Sequence, residues 1–235
     1  MRDRLTLEQA QLFLPTPLAS AVELAEAVAA GSPPSESDRS LREEALLAVD
    51  LLLAILLAEL VTDASARWAD AARLLRLFVE PPQQLELFDG LCRSQAERES
   101  FFGSDVSDWW PGARPAMVKV LRPRGSERGL AEAMLVLGES LGWLAETCML
   151  TPLSSRGSSW TDHFEGTLLL LRGLERCPPV RSLTWTGEPA RPLVVGRTYL
   201  LRGGRSLELC PFVDVLHLEE SGLLQRGSDS IILHT

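Results

Sequence analysis

The apolar positions of this chain fall into two regimes. Up to about Cys177 they recur at the three- and four-residue spacing of helices, and beyond Pro178 they alternate as in strands. The pattern predicts an α+β protein with a helical domain over 1–177 and a small antiparallel β region over 178–235 packed on it. Thr6 to Phe13 reads as a short helix. Thr16 and Pro17 then start a second one, with Leu18, Val22, Ala25 and Val28 as its stripe and Gly31 as its stop. Ser40 and Glu43 form a capping box for a helix to about Thr62. That helix is apolar nearly all round, so others should surround it.

Further helices are expected over Asp63 to Val79, ended by Pro81-Pro82, and over Gln84 to Arg93, with Gln95 to Phe102 as a continuation. Gly103 to Pro115 has no periodicity and reads as an irregular surface loop. Ser126 caps a long helix over Glu127 to Met149, whose Leu130, Met134, Leu137, Leu141, Leu144 and Cys148 make a seam. Gly138 and Gly142 on it require a neighbour that approaches closely. Thr161 caps a last helix to about Arg176. Strands follow at Arg181 to Thr186, Arg197 to Arg202, Ser206 to Leu218 and Ser230 to Leu233. Arg202-Gly203-Gly204-Arg205 supplies a tight hairpin, and Pro211 marks a bulge or an edge.

Composition narrows the function classes. The 235 residues carry a net charge of −9, which argues against general nucleic-acid binding. Arg122, Arg124 and Arg128 form a local basic patch, read as a solvated loop and helix start. Cys92, Cys148, Cys177 and Cys210 are too far apart for a thiolate zinc site and are expected to be free thiols. The uncharged run Leu51 to Ala58 is far short of the roughly twenty residues of a membrane span. The Met-Arg-Asp-Arg start has no signal-peptide character, so a cytoplasmic location is expected. Asp162 and Glu165 are dipole partners of a first helical turn rather than metal ligands. No phosphate-binding glycine loop and no G-x-S-x-G nucleophile motif occurs, and neither cofactor nor metal is expected.

Two segments carry a resemblance. Leu14-Pro15-Thr16-Pro17-Leu18-Ala19 and Val195-Gly196-Arg197-Thr198-Tyr199-Leu200-Leu201, with the order of helices and strands between them, resemble a helical-then-β module of large bacterial signalling and defence proteins. The resemblance implies a non-catalytic interaction or regulatory module that acts through a protein partner. That module is similar in turn to HEPN-type helical domains, whose ribonuclease members use an Arg and a nearby His. Here Arg156 and His163 stand at such a spacing, although Gly157 replaces the usual polar residue after the Arg. The alternative is therefore a ribonuclease in which His163 moves the proton of the ribose hydroxyl and Arg156 stabilises the phosphorane, with RNA as partner.

Trp109 and Trp110, flanked by Asp105 and Asp108, are the partner-binding candidates. From an irregular loop one of two adjacent indoles is expected to pack and the other to be exposed, the alternative being that both tuck against the long helix. An exposed Trp with an acidic rim is a typical contact anchor.

Overall fold

A computed structural model describes residues 4–31, 40–62, 81–95, 101–122, 124–155, 163–174, 180–186, 193–210, 213–216 and 230–233. The expected third helix, with Trp68, lies outside them, as do Arg156, Cys177 and Pro211. The α+β reading holds. Helices α1 (Leu7–Phe13), α2 (Thr16–Ala29), α3 (Leu41–Thr62), α4 (Pro81–Gln95), α5 (Asp105–Val120), α6 (Glu127–Ser140) and the single turn α7 (Gly142–Ala145) precede strands β1 (Cys148–Ser155), β2 (His163–Leu170), β3 (Val180–Thr186), β4 (Tyr199–Arg202), β5 (Arg205–Glu208), β6 (Val213–Leu216) and β7 (Ser230–Leu233). A five-stranded antiparallel sheet has the order β3-β2-β1-β4-β5, and β6 pairs with β7.

Side-chain caps account for three of the seven helix starts described. Thr6 caps α1 in a reciprocal box with Gln9. Ser40 and Glu43 do the same for α3, and the Ser126 hydroxyl accepts from the Gly129 amide at the start of α6. At α2, Pro15 rather than Thr16 takes the N-cap position, with no side-chain cap. Residues from Leu51 to Ala58 on α3 are all buried, so this helix is the axis of the body. Gly138 shows why α6 carries glycine: a Cβ there would sit 2.5 Å from Val22 Cγ2, so α2 and α6 touch at van der Waals distance. Only a residue without a side chain permits that approach.

Two segments depart from the helical expectation. The long helix ends at Ser140, and from Cys148 the chain is strand β1. The helix expected over Thr161 to Arg176 is instead strand β2, preceded by residues outside the described set. The sheet thus begins at Cys148, not near Pro178, and the division at 177/178 falls inside it. The cause is the ambiguity of a short apolar run such as Leu168-Leu169-Leu170-Leu171, which suits a buried strand as well as a helix. Tertiary pairing decides, with β1 enclosed between β2 and β4. Pro152, which cannot donate to a ladder, sits where the β1–β2 register shifts, the position that a strand tolerates for proline.

Both faces of the sheet contribute buried residues. Met149, Leu169, Leu171, Leu200 and Leu207 join the helical core, whereas Leu150, Leu168, Tyr199 and Leu201 form a second cluster with Leu193. Helices and sheet therefore share one core. The turn after β2 is stitched to the α1–α2 junction: Gly173 donates to the Leu14 carbonyl, and Arg172 donates to the carbonyls of Phe13 and Ala145.

Candidate functional site

The stretch expected to be a loop over Gly103 to Pro115 is mostly the start of α5, and both indoles are buried at 7% exposure. Neighbouring positions on a helix point about 100° apart, so two adjacent Trp can fill two different gaps. Trp109 packs edge-on to Trp143 and donates to the Ser140 hydroxyl at 2.8 Å. Trp110 stacks on Phe88 and donates to Asp89 Oδ1 at 2.8 Å. Phe102 meets Trp143 edge-on, and Phe101 meets Phe102, so the aromatic rings run on from Phe88 to Phe101 without a break.

This burial removes the premise of an exposed aromatic anchor. Asp105 is likewise turned inward, accepting from Arg202 at 2.8 Å, whereas Asp108 is exposed. Pro111 and Pro115, expected to break regular structure, sit on the solvent side of α5. Each leaves one helical carbonyl without its amide donor, and the buried face with its two Trp holds the helix together regardless.

His163 opens β2, with Thr186 of β3 opposite it, rather than starting a helix. Arg156 lies outside the described residues, so no geometry joins the two. Among the described residues there is no cluster of metal-ligating side chains. Cys92, Cys148 and Cys210 are in no disulfide, and burial pushes the Cys92 thiol up to about 12, away from nucleophilic character.

A different constellation is built where three helix ends meet. A recess of about 480 Å³ is lined by Ser40 and Arg42 at the start of α3, Lys119 and Arg122 at the end of α5, and Gly125, Ser126, Glu127, Gly129 and Leu130 at the start of α6. Arg42 is fixed there because its Nη1 donates to the carbonyls of Val120 and Arg122, at 2.9 and 2.7 Å. These carbonyls belong to the end of α5, where a helix leaves acceptors without intrahelical donors. Lys119 and Arg122 are exposed and have no ion-pair partner among the described residues. Glu127 is the one acidic side chain of the lining.

The recess thus gathers three cations on a protein of net charge −9. The start of α6 adds backbone amides and the positive end of a dipole. Ser40 and Ser126 use their hydroxyls as helix caps. Of the basic patch read from the sequence, only Arg122 contributes. Arg124 is exposed, and Arg128 pairs with Glu132 one helical turn away. Arg42 gave no local signal, because it lies far along the chain from Lys119 and Arg122.

The class that fold and site define is an α+β protein with a cationic recess at a junction of helix ends. The chain matches no protein-family model, and no curated protein and no solved structure is significantly similar to it. No helix among the described residues is long and apolar enough to cross a membrane.

Proposed function

We propose that this chain is a non-catalytic interaction and regulatory module of a bacterial multi-component signalling or defence system, working in the cytoplasm through a protein partner. The observation that carries the reading is the recess, where Arg42, Lys119 and Arg122 converge and the latter two have no ion-pair partner among the described residues. Unpaired cations in a concave site favour recognition of an anionic group on a partner. The hydroxyls that line it are engaged in helix caps, so the recess offers charge and donors for binding rather than an activated nucleophile.

The test compares what co-purifies from the native cell with the wild-type chain and with the Lys119→Glu, Arg122→Glu double variant. A partner retained by the former and lost by the latter is the expected result. The competing ribonuclease reading is checked on the same preparations. Cleavage of single-stranded RNA by the purified chain, abolished by His163→Ala, would overturn the proposal.

A further inference from the structure

We infer that the recess between the starts of α3 and α6 and the end of α5 is a binding site for a phosphate monoester. The inference rests on reading the recess as a binding site and names the chemistry of what enters it. Charge sets the first condition. Three cations and one carboxylate line the recess, an excess of two positive charges from Arg42, Lys119 and Arg122 against Glu127. A singly charged carboxylate leaves part of this uncompensated, whereas a phosphate monoester brings about −1.5 to −2 charges and three acceptor oxygens.

Geometry sets the second condition. Two guanidinium groups offer planar forks that suit phosphoryl oxygens, and the ammonium of Lys119 offers a point charge. Arg42 does not have to be ordered on binding, because the Val120 and Arg122 carbonyls already hold one end of its guanidinium. The backbone at the α6 start adds donors: Ser126 Oγ takes the Gly129 amide and the Ser126 carbonyl takes that of Leu130. The two amides before them belong to the orphan set that every helix start presents to solvent or ligand.

The lining also tells against two other anions. A nucleotide base or single-stranded nucleic acid calls for an aromatic platform, and the recess has none; its single large apolar residue is Leu130. An extended polyanion would also meet the net charge of −9 beyond the rim. A compact phosphoryl group avoids both costs. Such a group has two possible sources, a small phosphorylated molecule or a phosphorylated side chain of the protein partner, and the same cations serve either.

Isothermal titration calorimetry on the full chain separates these sources. The probes are free O-phosphoserine, a degenerate phosphoserine peptide library, the same library unphosphorylated, and acetate. Saturable binding of a phosphorylated probe is expected, with at least about tenfold weaker binding of the unphosphorylated library and acetate, roughly 1.4 kcal/mol. Binding of free O-phosphoserine as tight as that of the peptides assigns a small molecule; binding of the peptides alone assigns a partner side chain. Lys119→Glu and Arg122→Glu should each weaken binding about tenfold or more, whereas Arg128→Glu, outside the recess, should leave it unchanged.

No saturable binding of either phosphorylated probe, or equal binding by the Lys119→Glu and Arg122→Glu variants, overturns the inference. The outcome is separable from that of the proposed function. Loss of a native partner in the double variant without any phosphoryl binding keeps the interaction role and removes this inference. Phosphoryl binding with no partner lost does the reverse.

Discussion

The Arg202 guanidinium donates to the Asp105 carboxylate at 2.8 Å, tying the β4 end of the tight hairpin to the first turn of α5. Both side chains are about four-fifths buried, at 20% and 18% exposure. The same guanidinium reaches Glu146 at 3.1 Å and the Phe102 carbonyl at 3.4 Å. Beside it, Arg205 donates to the Phe101 carbonyl and lies over the Phe101 ring. The hairpin turn therefore clasps the segment that leads into α5, and Glu59 of α3 holds that segment from the other side by accepting from the Phe102 amide.

Removing one side of this clasp should cost more than a surface ion pair is worth, since the remaining charge stays largely buried. Arg202→Ala is expected to destabilise the protein by about 2–3 kcal/mol, or roughly 4–12 °C in melting temperature for a chain of this size. A double-mutant cycle with Asp105→Ala should return a coupling above about 1 kcal/mol. Coupling near zero would mean that the pair is no more than a surface contact.

The Trp pair gives a test of burial. Trp109→Ala and Trp110→Ala should each cost about 3–5 kcal/mol, because each removes a ring packed on aromatic neighbours and a hydrogen bond. Trp110→Phe keeps an aromatic ring on Phe88 but loses part of the buried indole and the bond to Asp89, whose carboxylate Arg114 still satisfies through two contacts of 2.9 Å. Its cost should be about 1–2 kcal/mol, below that of the alanine variants. Chemical denaturation ranks the three. Alanine variants with unchanged stability would contradict the buried placement and restore an exposed, partner-facing role.

A pH test follows from Asp50 on α3. Burial raises its carboxyl from 3.8 to about 6, only partly offset by the bond of 2.8 Å that Gln84 Nε2 donates. An acid raised in the folded state contributes stability that is complete below the unfolded value and is lost as pH rises through the folded one. The penalty of the ionised form is therefore absent near pH 3.5 and complete by about pH 7. Asp50→Asn should raise stability by about 1–2 kcal/mol at pH 7.5, discounted for partial exposure, and by close to nothing at pH 3.5. Gln84 Oε1, buried without a partner among the described residues, leaves an acceptor beside the new amide. Urea midpoints across this pH range check the sign. Equal effects at both ends would mean that Asp50 is not the titrating group.

Much of the fold was legible residue by residue. Capping at Ser40 and Ser126, the stop at Gly31 and the Arg202–Arg205 hairpin are contained in segments a few residues long, because each satisfies its own backbone groups or sets a local dihedral. The all-round apolar character of α3 announced its central position, and Gly138 announced a close neighbour without naming Val22. The sequence by itself determined the class, helices first and an antiparallel sheet after.

Where one gives way to the other was decided only by tertiary structure. Cys148–Ser155 and His163–Leu170 are strands because each finds a ladder partner in the other and in strands that come later in the chain. Hydrogen bonds between segments leave no mark in the periodicity of either one. The same holds for the sites. Trp109 and Trp110 look like a surface pair until α4, α6 and α7 close around them, and Arg42 lies far along the chain from Lys119 and Arg122. Burial and convergence of charge are properties of distance in space, and only the folded chain sets those distances.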